Sequence, residues 1–411
     1  MFKAYDVRGK YDVDVTEEKF VALGKALFSS SNRLVLGRDF RKSSKTLSSA
    51  LAQGFASGGG SIDFLGEVPS PTVAFLSKDL GSCITASHNS AEYNGAKFFK
   101  HKRCFFSGEL SKLKEGFEKV EKVVVKSVEL TEQAALVKEY EESLPEFKGG
   151  LYDLAGGAAC GLKKVFPKVV FDSPDPLFER HSAEPKGETL ARLKRETLRG
   201  RLVGFAFDGD ADRLAVCDKG KVVEGDVLAA FVVSNFFKKK DKVVLSVDCS
   251  SEVSSFLENE GFKVFWAKVG DVNVLSEGLH RQAAFAAERS GHYSFFSHMP
   301  YSDALYASAL LSGSRPGALF DFAGQFKSVV LTDALYVSAG FSKISSFLKG
   351  QKGFLSESTV DGVKAEFEDF SLLIRASNTE PKIRVNSEAK DGDLAKEGLS
   401  LAKQAVESAK N

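Results

Sequence analysis

Residues 16–36 read TEEKFVALGKALFSSSNRLVL, and this stretch joins a helix to a strand in the order of an α/β unit. Thr16 can cap a helix N-terminus, and the two glutamates that follow suit its first turn. Phe20 and Leu23 then fall on one helical face. The apolar run Leu34–Leu36 has the length and composition of a buried strand. The sequence therefore predicts a helix that packs on a strand.

The same alternation of helix and strand continues along most of the chain. A second helix is predicted from Ser43 to the glycines at 58–60. Further strands are predicted at Ile62–Leu65, Cys83–Thr85, Val169–Phe171, Leu202–Phe207, Val243–Val247, Val264–Ala267 and Phe285–Ala287. The last stretch differs, because strands predicted at Val360–Phe367, Leu372–Arg375 and Lys382–Asn386 precede a helix at Leu394–Ala409. This pattern predicts an α/β chain that ends in a small sheet closed by a helix.

We predict four domains, at residues 1–130, 131–229, 230–316 and 317–411. The first boundary follows a lysine- and valine-rich run at Lys119–Val128, after which a new helix is predicted to begin at Thr131. The first strand predicted in the third domain, Val243–Val247, follows the lysines at 238–240.

The composition favours a small-molecule substrate. The 411 residues carry 56 lysines and arginines against 55 aspartates and glutamates, so no net field would hold the chain on nucleic acid or an anionic membrane. The five cysteines are widely spaced and lack the pairing typical of zinc sites. No signal-like segment or apolar run of about 18 residues occurs, so we expect a cytoplasmic protein with reduced core thiols.

A loop of small and turn-forming residues follows the strand predicted at Cys83–Thr85, and it reads TASHNSAEYNGAK over residues 85–97. Such a loop can expose the hydroxyl of Ser87. A serine is a poor nucleophile unless a base or a metal assists it, and His88 and Lys97 could handle protons here. Taken alone, the Ser-His pair is more typical of an ordinary loop between a strand and a helix.

Three carboxylates at alternating positions end another apolar strand, in the sequence FDGDADR at residues 207–213. Small spacers let Asp208, Asp210 and Asp212 converge on a hard cation such as Mg²⁺. A calcium loop of the EF-hand type needs a glutamate at its twelfth position, which here is Lys219. That alternative fails, whereas a solvated acidic turn stays open.

Two further polar loops follow predicted strands. The sequence AERSGH at residues 287–292 offers groups that can bind sugar hydroxyls, although it is a weak signal by itself. The sequence RASNTEP at residues 375–381 combines a guanidinium, hydroxyls, an amide and backbone N–H groups. Such a turn suits a phosphate group, but an ordinary surface turn would look similar.

Together and in this order, the four loops resemble those of the α-D-phosphohexomutase superfamily, most closely the phosphomannomutase/phosphoglucomutase group. The resemblance runs from KAYDVRG at residues 3–9 to the loop at Arg375. It implies three α/β domains with mixed sheets and a smaller C-terminal α+β domain, arranged around a central cleft. It also implies an isomerase that interconverts hexose 1-phosphate and hexose 6-phosphate, of mannose or glucose, through a phosphoserine and a hexose 1,6-bisphosphate.

The resemblance also implies a role for each matching residue. Ser87 would carry the phosphoryl group, and Mg²⁺ would be held by an oxygen of that phosphoserine with Asp208, Asp210 and Asp212. Proton transfer would involve Lys97 and His292, and His88 beside Ser87 is a further candidate for it. Charge on the transferring group would be stabilised by Arg8 and Arg213. Sugar hydroxyls would meet Glu288 and Ser290. The distal phosphate would be bound by Arg375, Ser377, Asn378 and Thr379.

Several departures from the family pattern and several alternatives remain at this stage. The second domain, especially Leu151–Glu184, is shorter than family members generally are, which indicates a reduced domain. Ser90 and Ala287 stand where the family usually has proline and glycine, which can alter loop geometry. The opening KAYDVRG differs from the D-G-I-R-G typical of phosphoglucosamine mutases, which tilts the prediction away from an amino sugar. A magnesium-dependent sugar-phosphate phosphatase and a silent sugar-phosphate sensor are rival functions. We expect hexose 1,6-bisphosphate to act as an activator, and the protein to be a monomer or homodimer.

Overall fold

The computed structural model describes residues 1–121, 123–126, 128–377 and 382–410. These residues form two compact units. The first unit contains residues 1–225 and 291–320, and the second contains residues 226–290 and the chain from 321 onward. No helix in the described part of the chain has both the length and the apolar character needed to cross a membrane.

The first sheet of the first unit is mixed. Its strands are β1 (Val7–Lys10), β2 (Arg33–Arg38), β3 (Ser61–Glu67), β4 (Gly81–Ile84), β5 (Tyr93–Lys100) and β6 (Arg103–Cys104). They lie in the order β1-β5-β4-β2-β3, with β6 on β5, and β2 is parallel to β3 and β4. The helices are α1 (Glu17–Phe28), α2 (Ser44–Ala56), α3 (Ser70–Leu76) and α4 (Ser107–Glu118). As predicted, Thr16 caps α1 by accepting a hydrogen bond from the Lys19 amide.

The second sheet of this unit is also mixed. Its elements are α5 (Ala134–Ser143), β7 (Leu151–Asp153), β8 (Val169–Val170), α6 (Ala191–Thr197), β9 (Gly204–Phe207), β10 (Leu214–Asp218) and β11 (Lys221–Val223). The strands lie in the order β11-β10-β9-β7-β8. Between β7 and α6 the regular structure consists of β8 and two 3-10 segments, Ala158–Val165 and Gly187–Leu190. The predicted strands at Val169 and Leu202 are therefore present in shorter form.

One predicted helix start is wrong. The helix expected from Thr131 begins at Ala134, because the residues before it extend the sheet instead. Glu132 forms a parallel bridge with Phe64 of β3, and the Gln133 amide donates to the Phe64 carbonyl at 2.7 Å. These hydrogen bonds to a distant strand satisfy backbone groups that a longer helix would otherwise use.

The next segment is a parallel α/β unit, as predicted. Its elements are α7 (Gly225–Phe236), β12 (Lys242–Ser246), α8 (Ser251–Asn259), β13 (Lys263–Ala267), α9 (Asp271–Arg281) and β14 (Phe285–Ala287). Both β13 and β14 pair with β12 in parallel. The chain then returns to the first unit, where it forms β15 (Tyr293–Phe295) and α10 (Ala304–Leu311).

The C-terminal part of the second unit is an antiparallel sheet with helices, which confirms the predicted α+β domain. It follows α11 (Ala318–Ala323), a helix that spans the boundary between the units at residue 320. Its elements are β16 (Val329–Leu335), α12 (Phe341–Lys349), β17 (Phe354–Ser358), β18 (Val363–Phe367), β19 (Phe370–Ala376), β20 (Ile383–Ala389) and α13 (Gly392–Ser408). The strands lie in the order β16-β20-β19-β18-β17. The strand expected from Val360 starts at Val363, because Gly362 makes a turn with φ of +72°.

Burial agrees with the expected state of the cysteines. All five are buried thiols that are not part of a disulfide, as predicted from their spacing. Each α/β segment has an apolar core under its sheet, and in the first sheet that core includes Phe20, Leu36, Leu51 and Phe98. These cores hold the strand ends in place, and the polar loops described below follow those ends.

A buried histidine fastens the irregular part of the second sheet. The His181 side chain is 2% exposed, and its Nε2 lies 3.3 Å from an oxygen of the fully buried Asp153. Its Nδ1 lies 2.7 Å from the Ser182 carbonyl, and Nε2 lies 3.1 Å from the Thr189 carbonyl. Since all these oxygens can only accept, both ring nitrogens must carry protons. Burial lowers the pKa of His181, but Asp153 and the carbonyls outweigh it and raise the pKa above 6.5.

This ionisation predicts pH-dependent stability. Because the pKa of His181 is raised in the folded state, its protonation stabilises the folded protein. This stabilisation is fully present below the unfolded pKa of about 6.5 and is lost as pH rises through the folded pKa. We expect His181→Gln to lower the melting temperature most at pH 5.5–6.5 and progressively less toward pH 8.5. Differential scanning calorimetry across this range would measure the difference, with His280→Gln, at an exposed position, as control. A constant difference across the range would contradict the assignment of a charged His181.

Candidate active site

Ser87 lies just beyond β4 in a strained backbone conformation. It is 2% exposed and has a φ of +51°, which is uncommon for a residue with a side chain. Its amide donates to Thr85 Oγ1 at 2.9 Å, and its hydroxyl donates to Asp208 Oδ2 at 2.8 Å. His88 Nδ1 lies 3.2 Å from the same hydroxyl. Strain of this kind persists where surrounding contacts enforce it, and it is frequent at active sites.

The three predicted aspartates converge just beyond β9. Asp208, Asp210 and Asp212 are fully buried, and one carboxylate oxygen from each lies within 4.8 Å of the others. Burial, followed by the like charges of the other two, raises the pKa of Asp208 well above its ordinary value. Asp210 Oδ1 has no hydrogen-bond partner among the described residues. These oxygens fit a divalent cation such as Mg²⁺, which would relieve the repulsion between them.

Lys97 places its ammonium group between two of these carboxylates. It lies on β5, and its Nζ is 2.6 Å from Asp210 Oδ2 and 2.5 Å from Asp212 Oδ2. Burial lowers the pKa of Lys97, but the two carboxylates outweigh burial and raise it well above its ordinary value. The lysine therefore stays protonated at neutral pH beside these carboxylates.

Two neutral imidazoles complete the cluster. Arg213 Nε donates to His292 Nε2 at 2.7 Å, so this ring nitrogen acts as an acceptor. Burial and then the charge of Arg213 lower the pKa of His292 well below 6.5. The same two causes, with the charge of Arg8, lower the pKa of His88 to about 2. Arg8 itself donates to Asn89 Oδ1 at 2.6 Å, beside the serine loop.

The metal loop and the serine loop pack directly on each other. A Cβ atom on Gly209 would lie 2.4 Å from the Ser87 carbonyl oxygen, closer than real contacts allow. The Gly209 amide also donates to the Ala183 carbonyl at 2.9 Å. A residue without a side chain is therefore required here for the Ser87 hydroxyl to reach Asp208.

The first unit thus contains all of the predicted catalytic and metal-binding residues. Contacts link them directly or through Asn89, and the pair of Arg213 and His292 joins the others through the Arg213 amide, which donates to Asp208 Oδ1 at 3.1 Å. The linked residues are Arg8, Ser87, His88, Lys97, Asp208, Asp210, Asp212, Arg213 and His292. This arrangement joins a hydroxyl, a cation site, a permanent positive charge and neutral bases. Such a set can transfer a phosphoryl group.

The predicted sugar-binding residues lie in the second unit. Glu288 follows β14, is 4% exposed, and accepts a hydrogen bond from the Gly270 amide at 2.6 Å. This amide stands at the start of α9, where a carboxylate is favoured by the helix dipole. Ser290 is exposed. Ala287, the departure from the family pattern, is a buried residue of β14.

The predicted phosphate loop follows β19 in the same unit. Arg375 is 8% exposed, and its Nη1 lies 3.9 Å from Asp361 Oδ2. The Ser377 amide donates to the Lys382 carbonyl at 2.9 Å across the turn. Asn378 and Thr379 lie outside the described residues. Their predicted contact with phosphate stays a prediction.

Sequence reasoning missed one residue that organises the serine loop. The guanidinium of Arg41 donates to the carbonyls of Ser87 at 2.7 Å, Asn89 at 2.6 Å and Ser90 at 2.7 Å. Its Nε donates to the fully buried Asp39 at 3.0 Å. The available signal was the Asp-x-Arg pattern just after β2, which places polar groups at a strand end beside the predicted loop.

Arg41 gives a testable prediction about stability. Arg41→Ala would leave Asp39 buried without a cation and would free three carbonyls, so we expect a loss of about 3–5 kcal/mol in the free energy of unfolding. Urea denaturation would measure it. Arg33→Ala removes an exposed ion pair with Asp63 and should cost at most about 1 kcal/mol. Equal effects of the two variants would contradict the role assigned to Arg41.

Comparison with known families agrees with this geometry. Residues 1–123 match the family model for phosphoglucomutase/phosphomannomutase alpha/beta/alpha domain I. Residues 224–313 match domain III of the same family, and residues 336–400 match its C-terminal domain. The matched residues cover more than half of the chain.

Individual proteins of known family are also similar to this chain in sequence or in structure. A phosphoglucosamine mutase of Methanococcus vannielii is 31% identical over 93% of this chain and 95% of its own length. A phosphoglucomutase/phosphomannomutase family protein of Burkholderia thailandensis has the same fold, with a TM-score of 0.84, 24% identity, and coverage of 100% of this chain and 98% of its own. An Aspergillus fumigatus N-acetylphosphoglucosamine mutase, in complex with GlcNAc-6P and magnesium, gives a TM-score of 0.58 at 15% identity, over 92% and 77% of the two chains.

Proposed function

We propose, from the premise that this chain belongs to the phosphoglucomutase/phosphomannomutase family of isomerases, that it interconverts hexose 1-phosphate and hexose 6-phosphate through a phosphoserine at Ser87. The observation that carries the proposal is the direct contact of the Ser87 hydroxyl with Asp208, at 2.8 Å. A nucleophile and a cation site that touch each other are what phosphoryl transfer requires.

Mg²⁺ would be held by Asp208, Asp210 and Asp212, with an oxygen of the phosphoserine. When bound, the ion supplies positive charge that stabilises the transferring phosphoryl group. The remaining charge would come from Lys97 and from Arg8 and Arg213. Lys97 is held protonated by its carboxylate neighbours, so it is suited to stabilise charge or to give a proton.

The proposed reaction consists of two phosphoryl transfers, and the second returns the enzyme to its starting state. In the first, a free hydroxyl of the hexose monophosphate attacks the phosphorus of phosphoserine and gives its proton to a base. The bond from phosphorus to the serine oxygen breaks, and that oxygen takes up a proton to become the Ser87 hydroxyl. The hexose 1,6-bisphosphate then turns around.

In the second transfer, the Ser87 hydroxyl gives its proton to a base and attacks the other phosphoryl group. The bond from that phosphorus to the sugar oxygen breaks, the sugar oxygen takes up a proton, and the isomeric hexose monophosphate leaves with phosphoserine restored. His292 is the proposed base for the attacking hydroxyl; its Nε2 accepts a hydrogen bond from Arg213 Nε at 2.7 Å, so this nitrogen would exchange that donor for the sugar hydroxyl.

The second unit would bind the sugar in both orientations. Glu288 and Ser290 would contact hydroxyls, while Arg375, Ser377, Asn378 and Thr379 would hold whichever phosphate is not reacting. A phosphatase would have no need of this second phosphate site.

Ser87 gives the central prediction. Ser87→Ala should lose at least about a thousandfold in turnover, because its phosphoryl acceptor is gone. A coupled assay with hexose 1-phosphate, Mg²⁺ and a trace of hexose 1,6-bisphosphate would measure this. Ser90→Ala, an exposed side chain in the same loop, is the matched control and should stay within about threefold of wild type.

Two further readouts separate the rival reactions. Intact mass spectrometry should find one phosphoryl group on wild type and none on Ser87→Ala, and added hexose 1,6-bisphosphate should rephosphorylate a dephosphorylated enzyme. Release of inorganic phosphate at the rate of substrate loss would instead establish a phosphatase. An alanine variant as fast as wild type would overturn the role of Ser87.

Two observations favour different sugars as the substrate. The opening KAYDVRG at residues 3–9 favours mannose and glucose phosphates, which we propose as substrates. The curated relatives at 30–31% identity are named phosphoglucosamine mutases, and they favour glucosamine phosphate as the second candidate. The proposed sugar-binding loop at Glu288 would contact hydroxyls that all three sugars share.

A substrate panel decides between these candidates. We expect kcat/KM for mannose 1-phosphate or glucose 1-phosphate to exceed that for glucosamine 1-phosphate by at least about tenfold, which corresponds to about 1.4 kcal/mol of transition-state binding. Initial rates with the three sugars, measured under the same Mg²⁺ and activator, give this ratio. A higher kcat/KM for glucosamine 1-phosphate than for the other two sugars would assign the chain to the amino sugar.

A further inference from the structure

Tyr301 is a buried residue that the proposed reaction does not yet use. It lies between β15 and α10, and its side chain is fully buried. The ring packs edge to face on Phe99, with the ring centres 5.1 Å apart. Phe99 is two residues beyond Lys97 on β5, so the two side chains leave the same face of the strand. The ring is therefore anchored on the strand that carries Lys97.

The hydroxyl of Tyr301 connects the metal loop to this lysine. It donates to Asp212 Oδ2 at 2.8 Å, and because a carboxylate can only accept, the tyrosine proton is committed there. Lys97 Nζ donates toward the hydroxyl oxygen at 3.4 Å. Ser70 Oγ lies 3.3 Å from the same oxygen. The hydroxyl thus joins groups from separate parts of the first unit.

Ser70 extends this connection to the backbone of the metal loop. It is the first residue of α3, and its side chain is fully buried. Its amide donates to the carbonyl of Asp210 at 2.9 Å. The same serine therefore contacts both the tyrosine and the loop that carries the aspartates.

Asp212 shows what this arrangement achieves. Its Oδ2 accepts from Tyr301 and pairs with Lys97, whereas its Oδ1 accepts no hydrogen bond from the described residues. The tyrosine hydroxyl fixes the rotation of the carboxylate, which keeps one oxygen available to a cation. Without it, Lys97 would compete more strongly for the carboxylate.

We propose that Tyr301 is a positioning residue of the cation site: its hydroxyl orients Asp212 and Lys97 so that the three aspartates can bind Mg²⁺. The inference rests on the proposed function, since it concerns the same site. Partners of this kind around metal ligands commonly contribute a factor of ten or more to metal affinity.

The test measures cation binding without any sugar. Mn²⁺ is titrated into the intact protein and followed by electron paramagnetic resonance, and Mg²⁺ affinity is obtained by competition. Tyr301→Phe keeps the ring on Phe99 and should weaken binding of both ions by about tenfold or more. Tyr152→Phe is the matched control, since Tyr152 is also buried and its hydroxyl donates to the Gly149 carbonyl. It should bind both ions as wild type does.

Ser70→Ala provides a second variant that keeps the helix backbone. It should weaken Mn²⁺ binding in the same direction and by less, and excess Mg²⁺ should restore kcat in both site variants with little change in KM for the sugar phosphate. Wild-type affinity in both variants would overturn the role of Tyr301 while leaving the proposed function intact. A wild-type protein that binds no Mn²⁺ would overturn the cation site itself, and this inference with it.

Discussion

Three carboxylates buried within 4.8 Å of one another are unfavourable unless positive charge compensates them. Lys97 supplies part of that charge directly. Burial, and then the like charges of Asp210 and Asp212, raise the pKa of Asp208 well above its ordinary value. A bound divalent cation would relieve the repulsion between these charges. The electrostatics of this cluster therefore explain why Lys97 is held protonated and why the loop suits a hard cation.

The nucleophile depends on the same cluster. Ser87 sits in the left-handed region with its hydroxyl on Asp208, and this geometry requires Gly209 to have no side chain. Arg41 restricts the same loop, because its guanidinium donates to the carbonyls of Ser87, Asn89 and Ser90. Strain at the serine is thus enforced by contacts with two segments that are distant in the chain.

Neutral and charged groups are separated within a small volume. Burial together with the charge of Arg213 keeps His88 and His292 neutral, while neighbouring carboxylates keep Lys97 charged. His181 shows the reverse case in the same unit, since acceptors surround both of its nitrogens and hold it protonated. The identity of the neighbours decides the ionisation of each group, because burial lowers the pKa of all four.

The sequence by itself determined the local elements and the chemistry of the loops. Apolar periodicity and the cap at Thr16 predicted α1 and the strands that follow, since these signals act between residues close in the chain. The spacing of Asp208, Asp210 and Asp212 likewise predicted converging oxygens. Tertiary structure alone decided that α5 starts at Ala134, that Arg41 and Tyr301 hold the site, and which imidazoles are neutral. Those outcomes arise from hydrogen bonds and charges between residues far apart in the chain, and apart from the Asp-x-Arg pattern at residues 39–41 no local pattern indicates them.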